Sequence, residues 1–99
     1  MVCSKYFPFF ELLSTPLRIK IIEALKNKGE LNVTELCKEL NEEQSKVSHN
    51  LKKLLQCNIV RVRKVGYYRY YQLNKETILP LLRLVDKHVA NWCKECKRV

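Results

Sequence analysis

Glycine and proline are scarce in this chain, two and three among 99 residues. Their scarcity excludes long flexible linkers, low-complexity tracts and a glycine-rich phosphate loop. No apolar run approaches the roughly 20 residues that span a bilayer. The N-terminus (Met1-Val2-Cys3-Ser4-Lys5-Tyr6) also lacks the charged-then-apolar pattern of a secretory leader. A cytoplasmic protein with no membrane insertion is the expectation. Acidic residues are few as well, 10 Asp and Glu against 19 Lys and Arg, for a formal charge of +9. With no carboxylate pair in view, an enzyme is not expected. The charge instead favours polyanions through counterion release, although acidic membranes would attract it too. Five cysteines is an odd number, and their spacing is not that of a small secreted disulfide scaffold.

With 46% hydrophobic residues, the chain has enough apolar content for one small domain over residues 1–99. Tyr6 to Leu13 (YFPFFELL) is a dense apolar segment with Pro8 in a helical first turn, and it should dock on the core or on a partner. Thr15-Pro16 starts a second helix, with Leu17, Ile21, Ile22 and Leu25 inward and Arg18, Lys20 and Lys26 outside. Gly29 stops it, and Leu31 suits a short strand. Asn32-Val33-Thr34-Glu35 has the form of a capping box, and Asn41-Glu42-Glu43-Gln44 repeats it. Two caps this close predict two helices joined by a tight turn, a helix-turn-helix over residues 32–57.

The second of these helices carries an inward stripe of Val47, Leu51, Leu54 and Leu55. At 100° per residue, Ser45, His49, Lys52 and Gln56 point away from it, and Lys46, Ser48 and Lys53 flank it. Asn58 stands where the chain must leave the helix and tolerates a left-handed stop. Two β-branched and aromatic runs follow, Ile59 to Val65 and Tyr68 to Leu73, with Gly66-Tyr67 between them, so residues 59–73 predict a hairpin wing. From Lys75 to Cys96 the period returns to helical, with Pro80 in the first turn.

The fold class expected is mainly α with a small β-hairpin, a winged helix-turn-helix. Residues 1–14 and 75–99 carry surplus apolar surface and are expected to pair two copies into a homodimer. A helix of this kind fits the major groove of double-stranded DNA, where Gln44, Ser45, Ser48 and His49 can reach base edges. Lys46, Lys52 and Lys53 suit phosphates. In the wing, Arg61, Arg63, Lys64 and Arg69 suit backbone or minor groove, with Tyr67 at the tip.

These parts resemble the ArsR/SmtB family of dimeric repressors. The similar stretches are Thr15 to Ile22 with Leu25, Glu35-Leu36-Cys37, Gln44 to Leu51, Ile59 to Gly66 and Tyr70 to Leu73. The resemblance implies a homodimeric repressor on an operator of two-fold symmetry. Other winged-helix repressors, MarR-like proteins among them, share the architecture. Members of the family commonly release DNA on binding a metal ion. One family site needs two cysteines separated by one residue; Cys37 matches the first, and Glu39 stands at the second. Another opens with Asp-x-His, matched by Asp86-Lys87-His88, but its later ligands fall at or beyond Val99.

There remains Cys93-Lys94-Glu95-Cys96, half of a site for zinc or another soft metal whose further ligands would come from Cys3, His88 or the second subunit, or else a disulfide, at Cys93/Cys96 or stapling the dimer. A pair without a role is the third reading. Cys37 and Cys57 fit as small core residues. Against the regulator stands a different class, a winged-helix module that contacts protein or RNA without an effector switch.

Overall fold

Local chemistry accounts for most element boundaries in the computed structural model, which describes residues 6–95. Cys3 and Cys96, and the outer ends of the expected dimer segments, lie outside these residues. The order is α1 (Tyr6–Leu13), α2 (Pro16–Lys28), β1 (Leu31–Asn32), α3 (Val33–Leu40), α4 (Gln44–Gln56), β2 (Val60–Val65), β3 (Tyr68–Leu73) and α5 (Ile78–Asn91). Helix α2 begins behind Thr15 with Pro16 at its first position, although the Thr15 hydroxyl makes no capping bond. Gly29 closes the helix at φ 90°, where its N–H donates to the Leu25 carbonyl over 2.8 Å. The capping box of α3 is complete. The Glu35 N–H donates to Asn32 Oδ1 at 2.8 Å, and the Asn32 N–H to Glu35 Oε1 at 2.9 Å.

Asn41 departs from the sequence expectation. It does not cap α4 but terminates α3 in the left-handed conformation, φ 53° and ψ 53°. An N-cap needs extended backbone and a left-handed stop needs positive φ, so one residue cannot do both. With no glycine available, the asparagine serves the stop. Helix α4 then starts at Gln44, behind Glu43, without a side-chain cap. Glu42 and Glu43 therefore precede the helix and are not in its first turn.

One core joins the helices to the sheet. Leu12, Ile21, Ile22, Leu25, Leu36, Val47, Leu51 and Leu54 from the first four helices meet Ile59, Val60, Tyr71, Leu73 and Ile78. Arg18 was expected outside and is not there. It is half-buried between helices, its Nε–H donating to Asn50 Oδ1 (2.9 Å) and its Nη1–H to the Leu12 carbonyl (2.8 Å).

The wing is part of a three-stranded antiparallel sheet in the order β1-β3-β2, because Leu31 pairs with Tyr71 and Asn32 with Tyr70. The chain leaves α4 through Asn58 at φ 57°, the left-handed stop expected there. Asn74, the one buried polar residue of the described chain, ties the hairpin base to α5. Its Nδ2–H donates to the Asn58 carbonyl at 3.0 Å, its Oδ1 accepts from the Glu76 N–H at 3.0 Å, and its carbonyl accepts from Ile78 and Leu79. That hub uses residues 74–77 as a turn, so α5 begins three residues later than expected and ends at Asn91, short of Cys96. Pro80 does fall in its first turn.

Removing the capping box should show in stability. Asn32→Ala is expected to cost about 0.5–2 kcal/mol, and a chain of this size loses roughly 4–8 °C of thermal midpoint per kcal/mol. A melt followed by circular dichroism measures it.

Candidate nucleic-acid interface

Helix α4 is set by its buried side. Val47, Leu51 and Leu54 are each no more than 1% exposed. One helical rotation places Gln44, Ser45, Ser48, His49 and Lys52 outward, and all five are exposed. Lys46 is exposed beside them, and Lys53 is half-buried on the flank. No acid lies on the helix. Its outer face offers hydroxyl, amide and imidazole groups between ammonium groups, the mixture that hydrogen-bonds bases and neutralises phosphates.

The wing adds a second basic edge. Gly66 takes φ 59° and Tyr67 does not, the sign pattern of a two-residue II′ turn. The register pairs Lys64 directly with Arg69, and Tyr67 stands fully exposed at the tip. Two cations opposite one another weaken a strand pair. A polyanion at the tip would relieve them.

Arg61 and Arg63, two residues apart on β2, share a strand face, but both meet acids of their own chain. Arg61 Nη2 lies 2.6 Å from Glu76 Oε1. Arg63 grips Glu30 with two bonds, Nε to Oε2 at 3.0 Å and Nη2 to Oε1 at 2.7 Å, and its guanidinium lies 5.6 Å from the centre of the Tyr70 ring. The bond from Arg63 holds the Glu30 carboxyl below its ordinary range, and Lys75 adds to the effect. The same bond raises the Arg63 guanidinium above its ordinary value. A cleft of about 290 Å³ runs between this wing and the helices, lined by Thr34, Gln44, Tyr67, Tyr68 and Arg69 among others. It brings Gln44 to the wing tip.

Glu30, Thr34 and Arg18 were not foreseen. The short β1 strand was the available signal for Glu30, since pairing β1 with β3 carries the neighbouring residue toward β2. The cysteines are less gathered. Cys37 and Cys57 are half-buried thiols packed on the core, and Cys93 follows α5. Asp86 binds Lys26 at 2.9 Å, and His88 is exposed. Among the described residues no group of three or more His, Cys, Asp or Glu is placed to hold a metal ion.

Comparison with known proteins agrees with this geometry. The family described as bacterial regulatory protein, arsR family, matches residues 15–62, from the start of α2 into β2. An arsenical resistance operon repressor of Bacillus subtilis is 35% identical over 78 residues, 79% of this chain and 74% of that one. The chain belongs to the arsR family. An uncharacterised HTH-type transcriptional regulator of Methanocaldococcus jannaschii is 30% identical over 78 residues, 79% of this chain and 88% of its own length. Among solved structures, a homodimeric winged helix-turn-helix DNA-binding domain from Mycobacterium bovis superposes with a TM-score of 0.74 at 25% identity, covering 82% of this chain and 74% of that one. As an arsR-family member the chain is a winged helix-turn-helix transcriptional regulator.

The Glu30–Arg63 pair has a defined pH window. A carboxyl whose folded pKa is depressed stabilises the fold above its unfolded value, 4.5 here, and loses that contribution as pH falls through the folded value. Glu30→Gln should therefore be less stable than the parent at pH 7, and the gap should close in acid below the carboxylate range. Urea unfolding at pH 7 and pH 3 reads both; a gap that persists at pH 3 contradicts the assignment.

Proposed function

We propose that the chain represses transcription by occupying a two-fold symmetric operator as a homodimer, with α4 in the major groove and the Gly66-Tyr67 tip against the flanking backbone. It acts by binding, not by catalysis. The observation that carries this is an outward side of α4 that holds no acid, with the wing tip across a cleft from its first residue. Gln44, Ser45, Lys46, Ser48, His49 and Lys52 run along α4, and the tip cations Lys64 and Arg69, which meet no acid among the described residues, continue the basic surface across the cleft that Gln44 and Arg69 line. In this reading Lys53 touches a flanking phosphate, and Tyr67 packs on backbone. Arg61 and Arg63 act mainly through their acids, holding the wing in place.

The second copy follows from apolar surface left uncovered. Tyr6 is 80% exposed, Phe7 73%, Leu84 64% and Trp92 74%, and Ile78 is the one buried residue of α5. Helices α1 and α5 thus turn one apolar side to the core, through Leu12 and Ile78, and leave a second side uncovered among the described residues, which a twin subunit would cover. The structural relative from Mycobacterium bovis is homodimeric, which supports the same arrangement. Control of DNA release belongs to the chain ends, where Cys93 lies with Cys3 and Cys96 in sequence reach of both dimer helices. Soft-metal binding and a Cys93/Cys96 disulfide are the two chemistries open to these thiols. The arsenical resistance repressor among the relatives supports a soft effector.

Three measurements test these statements. Lys52→Ala and Arg69→Ala should each reduce the salt dependence of DNA binding by about one unit of log–log slope, since each removes one phosphate contact. Unchanged slopes for both would remove the groove-and-wing geometry. Phe7→Ser with Phe10→Ser should shift the chain toward monomer in sedimentation. Native mass spectrometry with and without reductant reads the chain ends: added metal mass or a reducible loss of two hydrogens supports a switch there, and an unmodified mass in both refutes it.

A further inference from the structure

Arg18 lies outside every DNA contact named above, yet it is the only side chain that bonds α1 and α4 together among the described hydrogen bonds. Its guanidinium sits half-buried between three helices. Nη1–H satisfies the Leu12 carbonyl, one of the last carbonyls of α1, which has no partner within that helix. Nε–H satisfies Asn50 Oδ1 on α4, and Asn50 Nδ2–H in turn donates to the Lys46 carbonyl over 2.8 Å. The chain of bonds thus runs from α1 through α2 to the turn of α4 that bears Lys46, Ser48 and His49. A planar guanidinium fixes both distance and angle at its two arms, which an ammonium on a flexible stem does not.

We propose that Arg18 is a positioning residue for DNA reading: it sets the pose of α4 relative to α1, and Asn50 is its receiver. The inference rests on the DNA-binding role proposed above. Because the far end of the strut is the helix whose outer face carries Tyr6, Phe7 and Phe10, whatever packs on α1 is mechanically linked to the base-reading turn. The coupling is carried by two hydrogen bonds and a rigid fork, with no contact between Arg18 and the nucleic acid.

A positioning role and a direct phosphate contact predict different results. The full chain is used as wild type, Arg18→Ala, Arg18→Lys, Asn50→Ala and the Arg18→Ala/Asn50→Ala double variant. The probes are a duplex selected by the wild type from a random library and a scrambled duplex of equal length. Each alanine variant should bind the selected duplex about tenfold more weakly and the scrambled duplex within twofold of wild type, with the salt slope unchanged. The double variant should be no weaker than either single, because both cut the same strut. Arg18→Lys should stay weak, since it keeps the charge and loses the fork.

Rescue by lysine, or equal loss on both duplexes with a slope lowered by about 0.9, identifies a phosphate contact and overturns the proposal. Wild-type discrimination in both alanine variants overturns it too. Asn50→Ala carries the test if the Arg18 variants fail to fold. A wild type that selects no sequence refutes the DNA-binding role itself, and this inference with it.

Discussion

Burial of one narrow stripe on α4 is the constraint from which the rest of the interface follows. Val47, Leu51 and Leu54 are closed off from water, and each such side chain contributes about 1.5–3 kcal/mol. Turning the helix by a single residue would lift this stripe out and press lysine or serine into its place. The rotation of α4 about its own axis is therefore fixed, and the identity of its outward residues is decided by the inward ones. The hairpin is anchored to the same core through Val60, Tyr71 and Leu73. Helix and wing thus share one foundation, and their relative angle is a property of the core.

Charge is sorted on top of that frame. The exposed ion pairs Lys26–Asp86, Arg61–Glu76 and Arg63–Glu30 each join different parts of the chain. Surface pairs of this kind contribute little to stability. Their effect here is selective: two of them hold the wing cations Arg61 and Arg63, while Lys64 and Arg69 near the tip meet no acid among the described residues. The chain therefore separates basic groups that brace the fold from basic groups that face outward. Net charge alone does not distinguish these two sets.

Much of this was legible in the sequence, and the division is physical. Helical stripes, the Asn32 capping box and the Gly66 turn depend on residues a few positions apart, so spacing alone announces them. The pairings of Arg18 with Asn50 and of Arg63 with Glu30 span 32 and 33 residues. No local pattern encodes such contacts, because they exist only once the core has brought the elements together. Asn41 failed for another reason. Its side chain suits two different backbone conformations, and the sequence repeats a cap motif without showing that α3 first needs a left-handed stop. The helical period alone places the start of α5 at Lys75, because nothing local shows that Asn74 is a buried hub whose N–H donates to the Ile59 carbonyl and whose own carbonyl accepts from Ile78 and Leu79.

The two-residue tip at Gly66-Tyr67 has a consequence for how such a wing can change through descent. A loop this short has no slack, so reach is altered only by lengthening the paired strands. Each added residue per strand advances the tip by about 3.4 Å and exchanges the two faces. Only additions of two per strand, about 7 Å, carry the same side chains outward on the same side. The wing is a ruler with coarse graduations, and its reach can change only in those steps or by substitution at the tip.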